Sequence, residues 1–127
     1  MALNVLIVDD SATLRAVLVK ILRLSGAPVG QVYEAANGQS ALELLQRHEV
    51  HLVCTDLNMP VLNGAGLVAA MRANEALAGI PVIMLSSDGS ASRLAQSKAQ
   101  GLSAYVRKPF TPEALYKAVQ DALKVKS

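Results

Sequence analysis

Short runs that are almost continuously apolar alternate with longer amphipathic stretches from one end of this chain to the other, and few folds accommodate that pattern. The runs VLIV at 5–8, HLVCT at 51–55 and PVIML at 81–85 have the length of strands and almost no polar face, as strands covered by helices on both sides require. QVYEA at 31–35 adds a strand of weaker pattern. Between them the spacing changes from a period of two to one of 3.6. Leu14, Val17, Leu18, Ile21 and Leu22 form one helical stripe after a capping Ser11, and Gly26 and Pro28 end it. Asn37 or Ser40 begins a second helix with the stripe Ala41, Leu42, Leu44 and Leu45, and Asn63 begins a third carrying Leu67, Ala70 and Met71. A fourth helix is expected near 90–100, with Leu94 as its one large apolar residue, which makes it the most weakly held. Thr111 followed by Pro112 is a cap with proline at the first helical position, so a fifth helix starts there and buries Leu115, Val119 and Leu123. Strict alternation with right-handed crossovers predicts a doubly wound α/β sandwich: a five-stranded parallel sheet with five helices in one domain over 1–127.

Composition narrows the functional classes. The net charge is +2, and Lys and Arg are scattered rather than clustered, so nucleic acid is not expected as a direct partner. Cys54 is the single cysteine and lies in an apolar run, so no internal disulfide and no oxidising compartment are indicated. No apolar run reaches the ~18 residues of a membrane helix, and the start carries no basic leader. A cytoplasmic protein without membrane insertion is the expectation.

In a doubly wound sheet the loops leaving the carboxyl ends of the strands meet at one edge, where ligands bind. Asp9 and Asp10 close the first strand, Asp56 the third, Ser86 and Ser87 the fourth, and Lys108 follows the fifth. Three carboxylates brought together repel one another and call for a hard divalent cation with oxygen ligands, for which Mg²⁺ fits better than Zn²⁺. A lysine and a hydroxyl at the same edge suit a tetrahedral anion, phosphoryl above all, with a carboxylate as nucleophile. Singly, each residue has an ordinary reading: Asp9 and Asp10 as helix-capping acids, Lys108 as a solvated charge, Ser86 as a strand-end turn residue. Cys54, Met71 and Met84 read as core, and His48 and His51 as ordinary residues around a helix end.

VLIVDDS at 5–11, TDLNMPVLNG at 55–64 and VRKPF at 106–110 together resemble the response-regulator receiver domains of two-component signalling, over essentially the whole chain. The resemblance implies a flavodoxin-like sheet of strand order 2-1-3-4-5. It makes Asp56 the phospho-acceptor, and Asp10, Asp56 and the backbone carbonyl of Asn58 ligands of Mg²⁺, with Asp9 holding metal-bound water. Ser86 and Lys108 would grip the phosphoryl oxygens, with the Lys108–Pro109 bond resembling one that is commonly cis. Tyr105 matches a switching aromatic that answers to Ser86, although an aromatic on a strand is also ordinarily just packed. Asn58 and Asp88 match positions that tune dephosphorylation. Ser86 stands where threonine is also common, and Asn63 replaces a more usual aspartate.

What the family implies is a signalling module that catalyses only its own phosphorylation and dephosphorylation. A histidine kinase or small phosphodonor would supply the phosphoryl group. The face formed by the fourth helix, fifth strand and fifth helix would carry the signal to a protein target. DDSATLR at 9–15 is similar to the opening of chemotaxis regulators, so a stand-alone module in motility control or a phosphorelay is expected, as monomer or transient dimer. The rivals are an aspartate-nucleophile phosphatase or phosphotransferase, which usually places an acid where this chain has Asn58, and a phosphorylation-independent binding module. A flavodoxin-like cofactor binder is disfavoured by the acidic DDSATL where a phosphate-cradling loop would lie.

Overall fold

Alternate residues of the central strands feed two separate cores, one on each face of the sheet. The computed structural model describes residues 2–56, 59, 61–86, 104–107 and 111–126, less the side chains of 86, 104, 105, 107 and 123–126. The elements are β1 (Leu3–Val8), α1 (Ala12–Leu24), β2 (Val29–Ala35), α2 (Gly38–Arg47), β3 (Leu52–Asp56), α3 (Gly64–Ala73), β4 (Val82–Ser86), β5 (Ala104–Arg107) and α4 (Pro112–Lys126). All strand pairs are parallel, in the order β2-β1-β3-β4-β5. The expected fourth helix near 90–100 lies outside the described residues, so α4 here is the last helix.

Val5, Ile7, Leu52, Cys54, Ile83 and Leu85 pack with Leu18 and Leu22 of α1 and Leu115 and Val119 of α4. Leu6, Val8, Val53, Val82 and Met84 pack with Ala41 and Leu45 of α2 and Leu67 and Met71 of α3. The period of two along β1, β3 and β4 therefore assigns α1 and α4 to one face and α2 and α3 to the other, which is the doubly wound arrangement. Val17 is 44% exposed because it lies at the rim of the α1 stripe, whereas Val68 of α3 is fully buried. Cys54 has no exposed surface, and burial pushes its thiol up to about 12.

The caps are those the sequence offers. Ser11 Oγ accepts from the Leu14 amide at 3.2 Å, Asn63 Oδ1 from Gly66 at 2.8 Å, and Thr111 Oγ1 from Ala114 at 3.1 Å. For α2 the cap is Asn37, whose Oδ1 accepts from Ser40 at 2.9 Å. Gly26, with φ +93°, reverses the chain after α1 in the left-handed region that glycine enters without strain.

The end of the sheet opposite the carboxyl edge is tied by Asn4. The β1–β2 register shifts between Leu3 and Val5, and there Asn4 Oδ1 accepts from Gln31 at 3.2 Å while its Nδ2 donates to the Glu49 carbonyl at 3.0 Å. His51 completes the tie, its Nδ1 accepting from the Asn4 amide at 2.9 Å. Both histidines are thereby accounted for away from the carboxyl edge, since the His48 ring stacks on Tyr33 with centroids 4.4 Å apart.

Candidate functional site

The strand order reverses direction between β1 and β3, and the crevice at such a point is where ligands bind in open α/β sheets. Asp9 and Asp10 follow β1 and Asp56 is the last residue of β3, so the sheet itself brings these acids to that crevice. One carboxylate oxygen from each of the three lies within 4.8 Å of the others. Asp9 is 1% exposed and Asp56 8%, while Asp10 is open to solvent. Ionised carboxylates at this spacing repel by roughly 1 to 3 kcal/mol per pair, depending on the water left between them. A hard cation taking oxygen ligands relieves that repulsion, and among the described residues the donor set is carboxylate alone. The residues present fit a metal ion of that class.

Asp9 and Asp56 are held by their neighbours. The Asp9 amide donates to the Ala35 carbonyl at 3.0 Å, extending the β1–β2 ladder one residue past β1. Asp9 Oδ1 accepts from the Ser11 amide at 2.9 Å. Ser11 is thus the α1 cap, and Asp9 holds the cap residue in place. Asp56 stays in register with β4, opposite Leu85, to the end of β3. Thr55 beside it is fully buried, and its Oγ1 donates to the Asp56 carbonyl at 3.0 Å.

The loop that follows is anchored on both sides. Met59 packs against the α2–α3 core, and the Leu62 carbonyl accepts from the Gly38 amide at 2.9 Å. Val61 between them is 81% exposed and has φ +68°, a left-handed conformation that a β-branched residue rarely adopts.

Of the other residues singled out in the sequence, Ser86 ends β4 opposite Arg107 of β5, and Tyr105 lies opposite Met84. These backbone positions bring the ends of β3, β4 and β5 to one edge. Asn58, Asp88 and Lys108 lie outside the described residues. Two residues that the sequence reading passed over belong to the site's frame: Arg15 Nη1 donates to the Asp9 carbonyl at 2.7 Å, and Arg15 Nε to Glu34 Oε1 at 3.0 Å. The available signal was a cation in the early turns of α1, where the helix dipole disfavours positive charge unless something else holds it.

Among the described residues no helix is long and apolar enough to cross a membrane. A family model described as the response regulator receiver domain matches residues 5–120. Over 122 residues the chain is 35% identical to the Chemotaxis protein CheY homolog of Campylobacter jejuni, a match covering 95% of this chain and 92% of the relative. It is 33% identical over 118 residues to the Chemotaxis protein CheY of Pseudomonas aeruginosa, covering 93% of this chain and 94% of the relative. The solved structure of the chemotaxis response regulator CheY4 of Vibrio cholerae is similar with a TM-score of 0.85 at 33% identity, covering 96% of this chain and 99% of that one. Receiver domains are signalling proteins whose general function is phosphorylation-dependent switching between histidine kinases and downstream targets. With the sheet order, the acid cluster at its switch point and a family match over most of its length, this chain belongs to the response regulator receiver family.

Proposed function

We propose that this chain is a one-domain phospho-receiver, 1–127, in which Asp56 accepts a phosphoryl group from a histidine kinase or a small phosphodonor. The observation that carries the reading is the meeting of Asp9, Asp10 and Asp56, with carboxylate oxygens within 4.8 Å, at the switch point of the sheet. An Asp56 oxygen forms the new bond to phosphorus while the bond from phosphorus to the donor breaks, and the leaving group departs with the electron pair. Asp56 is suited to this because it is largely withdrawn from water yet still 8% exposed, so a donor can reach it in line.

Asp10, Asp56 and the backbone carbonyl of Asn58 would hold Mg²⁺, with Asp9 holding its water. When bound, the ion offsets the negative charge gathered between the acids and the incoming phosphoryl group. Ser86 and Lys108 would share the phosphoryl oxygens as hydroxyl and ammonium donors. Ser86 would couple to Tyr105, and the face made of the helix expected near 90–100, β5 and α4 would present the change to a protein target. Asn58 and Asp88 would tune how long the phosphoryl group lasts. The protein turns over no separate substrate in this reading. It acts in the cytoplasm as a monomer or transient dimer, without direct nucleic-acid contact or membrane insertion. The names of the chemotaxis relatives support motility control over another phosphorelay.

Beryllofluoride, a mimic of the phosphoryl group, tests the reading when added with Mg²⁺ while the amide resonances of residues 86–110 are followed. Shifts that require both additives and disappear in Asp56→Asn uphold it. Unchanged resonances in the wild type would make the protein a phosphorylation-independent binding module.

A further inference from the structure

Arg15 is a cation close to the start of a helix, yet its side chain is only 17% exposed and is held from two directions. Nη1 donates to the main-chain oxygen of Asp9 at 2.7 Å, and Nε donates to Glu34 at 3.0 Å. That Asp9 oxygen belongs to the rigid peptide plane joining Asp9 to Asp10. Fixing it fixes the plane, and with it the Asp10 N–Cα bond about which the Asp10 side chain turns. The Asp9 amide is bonded to Ala35 and its Oδ1 to the Ser11 amide, and Arg15 adds a restraint on the carbonyl side of this residue. Glu34 and Ala35 are consecutive at the end of β2, so both main-chain bonds of Asp9 are referred to the same strand end.

We propose that Arg15, anchored by Glu34, is a positioning residue that sets the entry of the Asp9 and Asp10 carboxylates into the cation site; this rests on reading the acid cluster as a divalent-cation site. The planar guanidinium is suited to bridge a carbonyl and a carboxylate at once, which a lysine ammonium on a flexible stem does poorly. Charge and position make opposite demands here. As a mere positive charge beside Asp9, Arg15 opposes cation binding, so its removal would tighten binding; as a brace, its removal loosens the ligands and weakens binding.

The test is a Mg²⁺ titration of wild type, Arg15→Gln, Arg15→Lys and Glu34→Gln, read from the Asp10 and Asp56 amides, with metal-free hydrogen exchange of the Asp9 and Ser11 amides beside it. Arg15→Gln is expected to bind Mg²⁺ about tenfold more weakly, the low end of the effect of removing a residue that orients metal ligands. Arg15→Lys is expected to recover only part of that loss, and exchange at Asp9 and Ser11 to quicken without metal. Equal or tighter Mg²⁺ binding by a folded Arg15→Gln overturns the proposal. If Arg15→Gln does not fold, Glu34→Gln decides through exchange: faster exchange at Asp9 and Ser11 upholds the brace, and unchanged exchange overturns it. Absence of Mg²⁺ binding in the wild type refutes the cation reading itself, and metal-free exchange then decides the brace in the same way.

Discussion

Gly38 and Leu62 meet backbone to backbone: the Gly38 amide donates to the Leu62 carbonyl at 2.9 Å, and a Cβ on Gly38 would stand 2.6 Å from that oxygen. Leu62 also lays its side chain over Gly38, so the loop leaving Asp56 is seated on the first residue of α2. The contact explains why Asn37 and Gly38 occur together, one capping the helix and the other admitting the loop.

Gly38→Ala is therefore expected to destabilise the fold by about 1 to 3 kcal/mol, the usual range for overpacking, because the atom in the way is main chain and cannot rotate aside. The midpoint of urea unfolding at unchanged m-value measures it. An unaltered midpoint would mean that the loop does not rest on α2.

Val61 has the opposite expectation. The residue is 81% exposed and its φ is +68°, so the left-handed backbone costs about 1 to 2 kcal/mol and little burial offsets it. Val61→Asn, which tolerates that conformation, is expected to raise stability by about 1 kcal/mol in the same urea assay.

The buried Cys54 leaves a mark on the alkaline limb. Its thiol is pushed up to about 12 by burial, from an ordinary value of 9.0. The unfolded chain gives up this proton near pH 9 while the folded chain keeps it, so the contribution to stability is complete below about pH 9 and is lost as pH rises toward 12. Stability measured across that window is expected to fall more steeply in the wild type than in Cys54→Ala, whatever the cavity in the variant costs overall. Parallel slopes would mean that the thiol meets water in the folded state.

The sheet was legible in the sequence where burial leaves no choice. β1, β3 and β4 are covered on both faces and read as apolar runs, and β2, at the sheet edge, has a mixed pattern that shortened its expected span to 31–35 against the observed Val29–Ala35. Ser11, Asn63 and Thr111 were legible as caps because a cap is a local bond to an amide three residues on. The convergence of Asp9, Asp10 and Asp56 followed from topology, since all three sit at carboxyl ends of adjacent strands. Arg15 was not legible as a brace. Its partner Glu34 is nineteen residues away, and a salt bridge across two elements has no period to reveal it. Val61 and Leu62 were hidden for a related reason: a φ and a backbone contact depend on how the loop after Asp56 is seated, and side-chain identity records neither.

On the proposed function, Asp56 takes the phosphoryl group within a cation-dependent acid cluster. Incubation with acetyl phosphate and Mg²⁺, followed by intact mass, tests it most directly, with Asp56→Asn and a chelated sample alongside. Wild type is expected to gain the mass of one phosphoryl group, with the chelated sample and Asp56→Asn both failing to gain it. A gain that survives in Asp56→Asn, or one that is indifferent to chelation, would contradict it.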